Sequence, residues 1–237
     1  MTRWRLLLGA ELRVVSRDTA GLIIPIALPL LVLVGNALNM PAEVLARFVL
    51  PLVLTIVIAT IGMVNTPSIL ATYRKTGVLR RLAVTPVRPA TVLAAHLSAG
   101  TMQVFTGVLI AVAVAIAGFG ADPPADLLAT LAVLLLTTVA MFAAGLLVAA
   151  VSPTINAALA IGLVLFFGFG ALGGMFGPTS SLPGGLATTG EALPFGAAVQ
   201  AITAAWTGAS PAWGAIAALA GCTVVCGFVA IRFFRWS

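Results

Sequence analysis

Very few side chains in this 237-residue sequence are equipped for chemistry. The acids are Glu11, Asp18, Glu43, Asp122, Asp126 and Glu191, and each falls in a terminal segment or in a connection between long apolar stretches. A membrane-embedded enzyme needs Asp, His or Ser residues converging within its spans, and that pattern is missing. Intramembrane ionisable groups also mark proton and ion relays. The one candidate is His96, near the start of the third apolar stretch, where a headgroup-level position or an interhelical hydrogen bond explains it better than a relay. Cys222 and Cys226 stand one helical turn apart in the last apolar stretch, where a disulfide or a metal would lack partners, so they read as small packing residues and no metal site is expected. A phosphate-binding loop needs Gly-x-x-x-x-Gly-Lys, yet the only lysine, Lys75, follows Arg74 and has Ile69 where the first glycine belongs. The chain therefore carries no catalytic residues and no ATP loop of its own.

The elements that position these residues follow from composition. Hydrophobic residues make up 61% of the chain and charged residues 8%, against roughly 25% charged in an ordinary soluble domain. A soluble fold of this size cannot hide so much apolar surface. Divided into stretches of about 20 residues, each able to cross about 30 Å of hydrocarbon, the length is nearly used up by six spans, 20–38, 48–71, 91–118, 127–150, 157–176 and 213–234. The fold class is thus an all-α membrane protein, a single transmembrane domain over 1–237, with no room for a soluble catalytic domain. The uncharged run from Leu127 to Gly190 is too long for one crossing, and Ser152-Pro153-Thr154-Ile155-Asn156 supplies the reversal, with Pro and Asn turning the chain and capping the next helix. A second break is expected at Gly177-Pro178 and onward to Gly185.

The net charge of +6 comes from short basic tracts between apolar segments, which suits membrane orientation and not nucleic acid. Arg3, Arg5, Arg13 and Arg17 precede the first span, Arg74, Lys75, Arg80, Arg81 and Arg88 follow the second, and Arg232 and Arg235 close the chain. Glu43, Asp122, Asp126 and Glu191 fall on the other side, with Arg47. The positive-inside rule places both termini and the 72–90 connection in the cytoplasm. Abundant Ala, Gly and Val, with Arg far exceeding Lys, suits a GC-rich bacterial gene and hence a multi-pass protein of a bacterial inner (plasma) membrane. Residues 1–19 alternate charged and apolar positions at helical spacing, as an interfacial helix does, although a plain charged anchor reads equally well. Residues 191–206 are apolar but short of a span, which fits a re-entrant outer helical segment covered by other helices.

The most informative stretch is 73–89. Val78, Leu79 and Leu82 form one apolar stripe beside a basic one, and Thr85-Pro86 then stops the helix, so a short amphipathic helix along the membrane is expected. Five basic residues here also suit topology and anionic lipid alone. Gly77-Val78-Leu79-Arg80-Arg81-Leu82-Ala83-Val84-Thr85-Pro86 fits the Gly-x-Leu-x-x-Leu-x-x-Thr-Pro pattern between the second and third helices of type-2 ABC exporter permeases. Gly174-Met175-Phe176-Gly177-Pro178, then Leu182-Pro183, Leu193-Pro194-Phe195 and Ala198-Val199-Gln200-Ala201-Ile202, resembles that family's outer loop after the fifth helix. The chain thus resembles the permease subunit of a type-2 ABC exporter, similar to bacterial drug- and antibiotic-resistance export permeases. Basic Arg74 and Lys75 stand where family members commonly carry acidic residues, which leaves the charge of the partner surface open.

The resemblance implies that Gly77, Val78, Leu79, Arg80, Arg81, Leu82, Thr85 and Pro86 form a cytoplasmic coupling helix between spans two and three, docking on a separate ABC ATPase that binds the ATP and Mg. It implies two ATPases and a second permease chain, as homodimer or heterodimer, with no cofactor on this chain. It also implies that the second and fifth helices line the path of a drug, antibiotic or lipid-like amphipathic molecule leaving the cytoplasm. Thr55, Thr60, Asn65 and Thr66 on the second, and Phe166, Phe167, Phe169, Met175 and Phe176 on the fifth, are the candidate contacts, with interhelical bonding and packing as the plainer roles. Gly170 and Gly174 would then form a small-xxx-small contact. The alternative class is a secondary, ion-coupled carrier, which inverted repeats or intramembrane charges would support and which this sequence does not offer.

Overall fold

The protein is described by a computed structural model covering residues 2–77 and 89–233, and every described element in it is helical. The basic, amphipathic start forms α1 (Thr2–Arg17), and Asp18 then caps α2 (Thr19–Ala37) by accepting from the Gly21 backbone N–H at 3.0 Å. The longest element, α3 (Ala42–Lys75), overruns the expected 48–71 at both ends. Its 34 residues span about 50 Å at 1.5 Å each, well beyond the hydrocarbon thickness. π-Helical turns interrupt it at Leu45–Val49 and Thr60–Asn65. Nearly every residue from Leu50 to Val64 is buried, on all sides of the helix, so α3 is the central post around which the others pack.

Helix α4 (Pro89–Ala113) continues through a π turn (Val114–Gly118) and is followed by α5 (Leu127–Val151), capped by Asp126 on the Ala129 N–H at 2.9 Å. The reversal expected at 152–156 is present. Its capping residue differs from expectation: Thr154 caps α6 (Ile155–Leu172), accepting from the Ala157 N–H at 3.1 Å, while Asn156 already lies inside the helix. A β-hydroxyl one residue before the helix has the reach for that bond, and an Asn within the first turn does not.

Helix α6 stops at Leu172, short of the expected Phe176. Gly173 is pressed against the backbone of Gly196 and the ring of Phe195, and Gly174 turns left-handed at φ 93° while the Met175 N–H reaches back to the Gly170 carbonyl at 2.8 Å. Tertiary packing thus ends the helix before the Gly177-Pro178 signal is reached. Gly174 accordingly makes no helix–helix contact with Gly170, which instead faces Met175. The close small-residue contacts lie elsewhere. Gly145 of α5 meets the Gly62 backbone of α3, and Gly162 of α6 lies against the Met63 carbonyl, at distances that exclude any side chain.

The segment expected to be re-entrant forms two short helices, α7 (Gly184–Ala192) and α8 (Pro194–Trp206). Phe195, Ala197, Ala198, Ala201, Ile202, Ala205 and Trp206 are buried, which meets the requirement that a non-spanning piece at membrane depth be covered by protein. Its far end is tied down by Trp206, whose indole N–H donates to the Asp122 carbonyl at 3.2 Å while its own carbonyl accepts from the Ala125 N–H at 2.9 Å. Finally α9 (Trp213–Phe233) lies along α5 and turns Val224, Val225, Phe228 and Ile231 outward. Five of these helices are long and apolar enough to cross a membrane, and α2 supplies a shorter apolar helix over Gly21–Ala37, together the six expected.

Two proline-dependent details hold the bundle. Pro25 has no N–H to give to the Gly21 carbonyl four residues back. That freed carbonyl accepts instead from the Asn65 amide of α3 at 2.8 Å and the Gln103 amide of α4 at 2.7 Å, so one oxygen joins three helices. Pro67 likewise leaves the Met63 carbonyl without its helical donor, and the bare Cα of Gly162 packs on it.

Candidate functional site

Charge divides the two ends of the bundle. At one end Glu43 and Arg47 pair at 3.6 Å and, with Asp122 and Trp206, line a cleft of about 180 Å³. At the other end Arg74 and Lys75 face the α5–α6 turn across a polar cleft of about 790 Å³. The Arg74 guanidinium donates to the carbonyls of Ala149 and Ser152 at 2.7 and 2.9 Å, closing off acceptors that the end of α5 leaves open. Helix α3 ends beside it. The Thr76 N–H bonds back to Thr72 and the Gly77 N–H to Arg74, and Gly77 then takes φ 68° with open space around its Cα. The conformation, not the space, calls for glycine there. Of the expected coupling residues only Gly77 is among the described residues; Val78, Leu79, Arg80, Arg81, Leu82, Thr85 and Pro86 lie outside them.

Beside Gly77's stem is a buried polar joint that sequence reasoning missed. Glu11 of α1, Tyr73 of α3 and His96 of α4 are 8%, 8% and 3% exposed. One carboxylate oxygen, Glu11 Oε2, accepts from the Tyr73 hydroxyl at 2.8 Å and lies 3.1 Å from His96 Nδ1. The Tyr73 and His96 rings meet edge to face, with centroids 6.1 Å apart. His96 thus makes the interhelical hydrogen bond expected as its plainer role. The only available signal for Glu11 was its being the single acid in an otherwise basic and apolar helix.

Of the candidate path residues, Thr60, Asn65, Phe166 and Phe167 come together. With Gly21, Ile24 and Leu28 of α2, Val64 and Ser68 of α3, and Leu159 and Leu163 of α6, they line a groove of about 420 Å³ that is apolar along its length and has Asp18 at one end. Phe166 is buried there, edge to face with half-exposed Phe167 at 5.1 Å. Thr55 and Thr66 do not reach the groove: both are buried, and their hydroxyls bond to the Pro51 and Ile61 carbonyls of their own helix. Thr60 bonds to Ile56 in the same way but remains at the groove wall, and Asn65 is occupied with Gly21. Phe169, Met175 and Phe176 also lie outside the groove lining, Phe176 exposed and stacked on Phe167 at 6.4 Å. Among the described residues no group of His, Cys, Asp and Glu is arranged to hold a metal, and Cys222 and Cys226 are free thiols with their sulfurs 3.8 Å apart.

An all-helical bundle of long apolar helices with an apolar exterior and a basic end defines a multi-pass membrane protein. The family described as ABC-2 family transporter protein matches residues 21–232, and the chain belongs to it. That family comprises the membrane subunits of ABC transporters, which work with ATPase subunits. No curated protein and no solved structure matches the chain.

Proposed function

We propose that this chain is the permease subunit of an ABC exporter that moves a drug, antibiotic or lipid-like amphipathic molecule out of the cytoplasm of a bacterium. Two copies, or this chain and a related one, span the inner membrane with all termini inside. Two separate ATPases bind ATP and Mg and press on the segment 77–86. The observation that carries this reading is the family match across nearly the whole chain, in a sequence that has no nucleotide-binding loop of its own. The groove between α2, α3 and α6 supports the class of cargo. Its walls are leucine, isoleucine and phenylalanine, with polar groups from Asp18, Thr60, Asn65 and Ser68 on the lining, which suits a molecule with an apolar body and a polar end.

The alternative of an ion-coupled carrier would draw support from ionisable groups on the path. The buried pair Glu11 and His96 lines no part of the groove, and Asp18, the ionisable residue on its lining, is exposed and engaged as the cap of α2, so neither gives any. The test is to tag the chain, extract it gently from its native membrane and identify by mass spectrometry what remains bound. An ATPase with a complete phosphate loop is the expected companion. Its absence under conditions that hold known complexes together overturns the reading.

A further inference from the structure

The joint of Glu11, Tyr73 and His96 takes no part in the groove; the Tyr73 ring packs with Leu70, Val92 and Ala149, yet its hydroxyl and His96 meet a buried carboxylate. Taking such a group out of water is costly, and apolar replacements of similar volume commonly stabilise a fold as well or better. Mere adhesion of α1 is thus a poor reason for a carboxylate at this spot. What a polar joint adds is register. Tyr73 and His96 both address the same oxygen, so α1 cannot slide along either α3 or α4 without stranding a buried charge.

The two partners stand at particular places. Tyr73 is in the last turn of α3, four residues ahead of Gly77, and His96 is in the second turn of α4, which begins at Pro89. These are the two stems of the connector that carries residues 78–88. One carboxylate therefore clamps both stems to the same helix, while Gly77, left-handed with open space around its Cα, ends the first stem.

We infer that Glu11 is a positioning residue for energy coupling: through Tyr73 and His96 it holds the two stems of the 78–88 connector in fixed register, so that force on the connector is delivered to α3 and α4 together. The inference rests on the proposal that 77–86 meets the ATPase. Its test uses the full chain with its co-purifying ATPase in lipid nanodiscs, reading ATP hydrolysis per assembled complex against that of the ATPase alone. Glu11→Gln should cut the permease-dependent change in hydrolysis at least five-fold while assembly yield is kept. Tyr73→Phe, which removes one hydroxyl and little else, should cut it in the same direction and serves where Glu11→Gln fails to fold. Phe195→Ala, a core truncation far from the connector, should lower the melting temperature and leave hydrolysis per complex unchanged.

The inference is overturned if Glu11→Gln and Tyr73→Phe behave like Phe195→Ala, less stable but still fully coupled. Leu79→Glu with Leu82→Glu separates the two levels. If that pair leaves hydrolysis coupled, or if no ATPase co-purifies, the docking proposal itself fails and the role of Glu11 fails with it. If that pair uncouples and the Glu11 and Tyr73 variants do not, docking stands and only the role of Glu11 is lost.

Discussion

The Gly21 carbonyl shows how a single residue choice propagates through the bundle. Pro25 removes its helical donor, and Asn65 and Gln103 replace it from two other helices. The sequence marked Asn65 as polar within a span and left open whether it met cargo or a neighbouring helix; the structure has its amide nitrogen on α2 while the residue still borders the groove. Nothing in local pattern ties residue 65 to residue 21, because the pairing exists only once three helices are packed. Interhelical hydrogen bonds in membrane proteins average about 0.6 kcal/mol each, so Asn65→Leu or Gln103→Leu alone should lower thermal stability slightly. The double variant leaves the half-buried carbonyl without either side-chain donor and should cost about 1–3 kcal/mol, more than the sum of the two singles, as read by detergent melting curves. Strict additivity would mean that the oxygen finds another partner.

At the scale of the element, apolar length was the most readable feature, and tertiary contact the least. The expected span 127–150 differs from α5 by one residue at one end, and α9 starts at the expected Trp213, because these boundaries are set locally, by Asp126 and Ser152-Pro153 for α5 and by the polar loop before Trp213 for α9. The end of α6 was misplaced by four residues, because Gly173 meets Phe195 and Gly196 of α8, an element beyond the following loop and α7. The small-residue contact was expected at Gly170 and Gly174 and occurs instead at Gly62 and Gly145, two glycines in separate spans whose juxtaposition no periodicity within one helix reveals. Gly145→Leu should therefore force α3 and α5 apart. Overpacking of this kind costs about 1–3 kcal/mol, and the variant should melt early or fail to assemble, whereas Gly168→Leu, at a position with open space, should be tolerated. Equal melting temperatures for the two would contradict the close approach.

For the whole molecule, composition alone settled that the chain is a membrane bundle, and the family match over residues 21–232 agrees with the motifs at 77–86 and 174–202. The groove was legible only in part. Of the nine residues that residue type picked out, Thr60, Asn65, Phe166 and Phe167 line the groove and the other five lie outside its lining, since hydropathy cannot say which side of a buried helix faces a groove. If the groove carries cargo, filling it should block transport without disabling the motor. Leu163→Trp is the variant of choice, since Leu163 is part of the groove wall and only partly buried. Cells carrying it should lose export-dependent resistance to amphipathic compounds while ATP hydrolysis by the complex persists. Retained export would move the path away from α2, α3 and α6.

The shared acceptor on Gly21 also bears on the order in which the chain is built. When only α2 and α3 have left the ribosome, Asn65 is the one side chain available to that carbonyl, and the pair can still exchange it for lipid-borne water near the interface. The arrival of α4 brings Gln103 and gives the oxygen its second donor, after which α2 cannot leave the bundle without losing both bonds. A nascent chain arrested before Gln103 should accordingly be cut more readily at α2 by quality-control proteases than one arrested beyond it.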